Sequence, residues 1–479
     1  MNFCFVLFIL INIIILSINK KLIFVELQSR HGARAPLELN ENSEDIIGEQ
    51  WSNFGELTGV GQRMEYLLGL RNRHRYITND DPFLSNKYDP HELLVYSTSL
   101  NRTLLSMTSQ LQGLYPISQK SGEELNEEQL KKSKPPLDIE YDEITEELSR
   151  IKNNSLPDFM TIVPIHMINP SQKKMNNFDN IDCKPNVEKL TKKNIEEKQS
   201  IKNIIKDFKD KYSQNLTENN ILPEDFEYNI DNIGKICDAI LVDTTEGKEM
   251  KDFFDKTKFD KTLLIEKCKE VLKINFRDKL YGDNEMNIIL LEESTLLREM
   301  IHYMKKRVDA DIEGEIKNVS DYSKPKMVII SGHDATLSAQ IIFILKIFKL
   351  DLDSYQLPTY SAQTAFEVTR EDNNDNKKLK YSDYKVTFYF NDKVLLDISM
   401  DKFIKTVENN IWTKNQIDKF CYGDILNSDD NLMIILVGIS AFTLFLLIII
   451  IILAVCIVKK NKKDDDVNSM DSDKLINEE

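Results

Sequence analysis

The chain is short of positive charge, of cysteine and histidine at metal-ligand spacing, and of any internal repeat. Its 479 residues carry 62 Lys and Arg against 78 Asp and Glu, a formal net charge of -16. A field of that sign disfavours nucleic acid as the main partner, and an anionic small molecule then needs a local cationic pocket. The six cysteines and six histidines form no cluster with zinc spacing, so the reading assigns no metal and no cofactor. The missing repeat excludes a solenoid or a propeller.

Long apolar runs are confined to the two ends. Phe3 to Leu16 is almost wholly apolar and, although it lacks a basic start, reads as the hydrophobic part of a signal peptide removed near Ser17 to Lys20. Leu432 to Val458 is free of charge and long enough to cross a bilayer with some tilt. Lys459, Lys460, Lys462 and Lys463 follow at once, which places the tail in the cytoplasm and the body outside or in a lumen. In the acidic tail, Asp471 to Ile476 resembles a dileucine sorting signal. The remaining chain, 41% hydrophobic overall, is long enough to bury a substantial core.

Between the ends, three strand-like runs each lead into a charged tip. Leu22 to Leu27 leads to Arg30, His31, Gly32, Ala33 and Arg34; Leu93 to Tyr96 leads through Ser97 and Thr98 to Arg102. Met327 to Ile330 leads through Ser331 and Gly332 to His333 and Asp334. Apolar residues at helical spacing follow the second and third tips, namely Leu104, Leu105, Leu111 and Leu114, and Leu337, Ile341, Ile344 and Leu345. In open α/β sheets ligands bind at the carboxyl ends of the strands, so the order strand, tip, helix predicts convergence on one crevice.

The first tip has the chemistry of a phosphoryl acceptor. Two guanidinium groups beside His31 disfavour the imidazolium and keep the ring neutral, hence nucleophilic. Their forked donors match the oxygens of a phosphoryl group. Gly32 removes a side chain where the backbone turns and approaches a ligand, and Pro36 stiffens the exit.

Elsewhere the signals are structural. Ile117 to Arg150 reads as an exposed loop with a short charged helix. Ile289 to Met304 is the clearest helix of a lysine- and glutamate-rich region. Lys385 to Phe390 and Val394 to Ile398 form a hairpin pattern across Asn391, Asp392 and Lys393. His74, His91 and His302 carry no functional signal. Asn153, Asn215 and Asn318 fit the glycosylation pattern; Asn101 also fits, but a glycan there would crowd Arg102, so it is expected to be unmodified. Four cysteines between the ends, Cys183, Cys237, Cys268 and Cys421, allow three disulfide pairings in a chain routed for secretion.

The quoted tips resemble the histidine acid phosphatases, the branch of the histidine phosphatase superfamily that includes lysosomal and prostatic acid phosphatase. Arg30 to Pro36 matches the family's signature stretch, Ser97, Thr98, Arg102 and Thr103 its second block, and His333 with Asp334 its third. Leu57 to Tyr76, Pro164 to His166, Leu280 to Gly282 and Pro358 to Glu367 resemble further family segments, so the likeness runs from about Leu22 to Cys421. It implies phosphate monoester hydrolysis through a covalent phosphohistidine on His31, with Asp334 as general acid. It also implies that Arg30, Arg34, Arg102 and His333 hold the non-bridging oxygens. The alternatives are a phosphoryl-transfer mutase and a catalytically retired surface receptor on the same scaffold.

Together these readings give an α/β fold with a mostly parallel central sheet flanked by helices, an inserted, mainly helical lid domain, and, from the apolar run at 432–458, one transmembrane helix. The expected order is signal peptide 1–19, core 20–116, lid 117–323, core 324–431, transmembrane helix 432–458 and cytoplasmic tail 459–479. The resemblance favours pairing Cys183 with Cys421, leaving Cys237 with Cys268, although the family's usual partner position, near Gln363, is not a cysteine here. His166 resembles a family position near the pocket. The implied protein is a type I single-pass membrane protein of the lysosome, another acidic vacuole or the cell surface, with dimerisation left open and no metal required.

Overall fold

The computed structural model describes residues 20–37, 51, 53–120, 122–133, 135, 145–168, 183–218, 222, 224–248, 260–281, 286–314, 324–371, 378–422, 446 and 449–455. The first strand, β1 (Lys20–Arg30), is buried without a break from Ile23 onwards, as a strand covered on both faces must be. After it come α1 (Gly59–Tyr76), β2 (Leu93–Ser97), α2 (Asn101–Leu114), α3 (Glu127–Lys132), α4 (Thr145–Ile151) and β3 (His166–Met167). A helical region follows, with α5 (Lys184–Glu197), α6 (Gln199–Glu218), α7 (Ile230–Thr245), α8 (Lys261–Leu280) and α9 (Asn287–Ile312). The chain then returns to the sheet with β4 (Met327–Gly332), α10 (Asp334–Ile347), β5 (Gln363–Glu371), β6 (Tyr384–Phe390), β7 (Lys393–Ser399) and α11 (Met400–Asn410).

Strand alternation divides the apolar residues between two faces. Phe24, Val328 and Ile330 pack with Ile289, Leu297 and Ile341 of α9 and α10. Val25, Leu27, Val95 and Ile329 pack with Tyr76, Met107 and Leu111 of α1 and α2 on the other side. A separate apolar cluster joins α6, α7 and α8 through Phe208, Tyr212, Ile233, Ile240, Leu264 and Val271. Cys237 and Cys268 form a disulfide inside that cluster, and Cys183 is also disulfide-bonded.

The seven strands run in the order β3-β2-β4-β1-β5-β6-β7. This corrects the expectation of a mostly parallel sheet: β3, β2, β4 and β1 pair in parallel, but β5, β6 and β7 add three antiparallel pairings. The cause is the segment after α10. It climbs back to the carboxyl end of β1, where Ser361 N donates to His31 O at 3.2 Å, so β5 starts at the top and must run down. The hairpin β6–β7 is as expected, closed by Asn391 and Asp392 with φ of 44° and 68°, the left-handed pair that a two-residue turn requires.

Contacts divide the chain into Met1–Thr413 and Lys414–Glu479. Among the described residues no helix is long and apolar enough to cross a membrane. Most of the expected span at 432–458 lies outside those residues, as do the signal segment, the tail and Asn318.

A buried carboxyl makes the fold lose stability as pH rises. Glu26, on β1, is fully buried, and burial pushes its carboxyl up to about 8. Glu293, on α9, is also fully buried and is raised by burial and by the nearby Glu292 and Glu26. A group raised in the folded state contributes stability that is complete below its unfolded value, about 4.3, and is lost as pH rises towards 8. Glu26→Gln should therefore flatten the fall in unfolding midpoint expected of the unmutated protein between pH 5 and 8, the two differing by a few kcal/mol, on the order of 1.4 per pH unit. Denaturant titrations at several pH values check this; parallel curves would contradict it.

Candidate active site

Parallel pairing sets the strand ends level. Arg30 pairs with Gly332 across β1 and β4, and Ser97 with Ser331 across β2 and β4, so the residues that follow emerge side by side. Behind two of these ends the first turns of α2 and α10 begin at Asn101 and Asp334. The amino ends of these two helices add partial positive charge there.

The loop after β1 is held by backbone packing. A Cβ on Gly32 would lie 2.4 Å from Gly61 O, and one on Gly61 would lie 2.1 Å from Ala33 O. Only glycine permits that approach. Thr58 caps α1 by accepting from Gly61 N at 3.1 Å, and its own amide donates to Ala33 O at 3.0 Å. Gly32 N donates to Ser106 Oγ of α2 at 3.1 Å.

His31 is 2% exposed. Its Nδ1 lies 2.8 Å from Gly32 O, and a carbonyl only accepts, so Nδ1 carries the proton and Nε2 keeps its lone pair. Burial, then the Arg30 charge, holds the imidazole well below its ordinary value. The ring of His333 stands edge-on to it with centroids 5.6 Å apart. His333 Nε2 meets Thr98 Oγ1 at 3.1 Å, and that hydroxyl reaches Thr103 Oγ1 at 2.7 Å. Burial and Arg102 push His333 down to about 4.

Each arginine has a distinct setting. Arg30 pairs with Asp334 at 2.7 Å, donates to Pro358 O at 2.9 Å and lies over the Tyr360 ring at 4.3 Å. Arg34 grips Asp238 with two bonds of 3.0 Å. Arg102 approaches Gly55 O at 3.5 Å. Among the described residues nothing accepts from the buried Nε of any of the three. Asp334 would be raised by burial alone, but Arg30, Arg34, His333 and the Ala335 amide at 2.9 Å hold its carboxyl below the ordinary range.

Arg30, His31, Arg34, Arg102, His333 and Asp334 all line one cavity of about 720 Å³. Leu37, Leu100, Leu272, Phe276 and Leu357 give its wall an apolar part, while Asp231, Lys235, Asn275 and Glu292 make the rest polar. His166 stays out of this lining; it is exposed on β3 beside Tyr96. Asp238 and Tyr360 are site residues that the sequence reading missed. Asp238 lies 204 positions from Arg34, so no local pattern marks it, whereas Tyr360 sits in the segment Pro358 to Glu367 already noted for its family likeness. No group of three or more His, Cys, Asp or Glu among the described residues is arranged to hold a metal ion.

Fold and site together define a three-layer α/β protein with an imidazole pair set among guanidinium groups at the strand ends. The chain belongs to the histidine phosphatase superfamily (branch 2), whose family model matches residues 21–391. It is 39% identical over 103 residues to the lysosomal acid phosphatase of Xenopus laevis, a stretch covering 21% of this chain and 22% of that one. It is 34% identical over 117 residues to human (Homo sapiens) prostatic acid phosphatase, covering 24% and 28%. The chain thus spans about a quarter of the length of these curated relatives. A solved phytase from Citrobacter braakii shares the fold with a TM-score of 0.50 at 13% identity, covering 84% of this chain and 99% of that one.

Proposed function

We propose that the protein hydrolyses phosphate monoesters at acidic pH through a phosphohistidine on His31. The observation that carries this reading is the neutral His31 imidazole, its Nε2 lone pair free, set beside three guanidinium groups that each keep a buried donor. Nε2 attacks phosphorus; Arg30, Arg34, Arg102 and His333 hold the three non-bridging oxygens as charge develops. Asp334 protonates the departing alkoxide, then takes a proton from the water that attacks the phosphohistidine.

Acid conditions suit both partners. His31 stays neutral well into the acid range because its affinity for protons is depressed, so acid does not quench the nucleophile. Asp334 is ionised while paired with Arg30; a bound dianion takes over that guanidinium, and the carboxyl then gains a proton most readily at low pH. The apolar walls around Leu272 and Phe276 suit an ester with one phosphate and an apolar leaving group.

The curated relatives' names support a lysosome-like setting, and the basic-flanked apolar run at 432–458 supports a single membrane anchor with the body on the lumenal side. We read 117–323 as a helical lid over the pocket mouth. Hydrolysis of p-nitrophenyl phosphate peaking below pH 6, with radiolabelled phosphate trapped on histidine after rapid quenching, is the expected result. A rate that peaks at neutral or alkaline pH, or phosphate passed to a second substrate in preference to water, would count against it.

A further inference from the structure

The α7–α8 wall of the cavity does more than enclose it. Asp231, Gly234, Lys235 and Asp238 of α7 and Leu272, Asn275 and Phe276 of α8 line the pocket, and the Cys237–Cys268 disulfide joins the two helices with Cα atoms 4.8 Å apart. The residue next to that bridge, Asp238, holds Arg34 through both carboxylate oxygens. A second brace runs from the same helix: Thr58 Oγ1 donates to Glu246 Oε1, at the α7 carboxyl end, at 2.6 Å. Thr58 also supports the loop carrying His31 and Arg34, through its amide bond to Ala33 O. One helix therefore fixes that loop at two points.

We propose that Asp238 is the positioning residue of Arg34, with the Cys237–Cys268 bridge setting its place. This rests on the reading of Arg34 as a phosphate ligand. Asp238 occupies the Nη1/Nη2 fork and Ala35 O takes a further Nη1 bond at 3.1 Å. On the other edge, formed by Nε and Nη2, the buried Nε has no acceptor among the described residues, while the side chain lines the cavity. A planar guanidinium clamped on one edge presents the other at a fixed angle, matching two phosphate oxygens at little entropic cost. The carboxylate also keeps that buried cation charged, since Asp238 offsets the burial that would lower it.

The test compares the full chain with Asp238→Asn and, acting from behind, Cys268→Ser. Asp238→Asn should raise KM for p-nitrophenyl phosphate and the inhibition constant of inorganic phosphate together, by about tenfold, with kcat changed less than about twofold. Cys268→Ser should shift both in the same direction by a smaller factor. A general loosening of the fold would lower kcat as well, and Asp238→Glu should restore part of the affinity. Unchanged KM, or tighter phosphate binding in Asp238→Asn, would overturn the proposal, the second by showing that Asp238 competes with phosphate for Arg34. Inactivity of the unmutated chain would instead remove the phosphatase reading itself.

Discussion

Replacing His31 with alanine should abolish turnover while leaving the pocket able to bind phosphate. The imidazole offers the pocket an Nε2 lone pair, Nδ1 being committed to Gly32 O at 2.8 Å. Without it the phosphoryl group has no covalent acceptor, and water must attack unaided. A fall in kcat of about ten-thousand-fold or more is expected, equivalent to roughly 5 kcal/mol of barrier. Radiolabelled phosphate should no longer be trapped on the protein. Arg30, Arg34 and Arg102 remain, so inorganic phosphate should still protect the variant against thermal unfolding. Loss of both turnover and phosphate binding would point to a collapsed site, and residual turnover within tenfold of the parent would exclude His31 as nucleophile.

Asp334→Asn should divide substrates by their leaving groups. The side chain keeps its shape but gives up the proton, so esters whose alkoxide leaves poorly should slow by roughly 10² to 10⁴. A nitrophenyl ester, whose phenolate departs without protonation, should lose less in the first step. The substitution also breaks the 2.7 Å pair with Arg30. Freed of that carboxylate, the guanidinium should bind a dianion more tightly, so KM is expected to fall while kcat falls further. Measuring kcat and KM for an alkyl and a nitrophenyl ester checks both; an equal loss on the two esters would rule out the general-acid role.

Much of the site was legible because its residues follow strands. A strand places the next residue at the sheet's carboxyl end, so three buried runs with charged tips mark Arg30, His31, Arg34, Arg102, His333 and Asp334. The hairpin at Asn391 and Asp392 was legible for a similar reason: its turn chemistry is local. Sheet direction was not. Whether β5 runs up or down depends on where the segment from Lys349 to Ala362 ends, and Ser361 meeting His31 O is a contact 330 positions long.

The sequence by itself determined which groups gather at the strand ends, because side-chain type and its position behind a buried strand are properties of short stretches. Only the tertiary structure decided how those groups are tuned. The partners that charge, neutralise or orient them, Asp238 on Arg34, Pro358 O and Tyr360 on Arg30, and Thr98 on His333, arrive from distant elements. Electrostatic tuning depends on distances through space and on burial, and neither is written in the spacing along the chain.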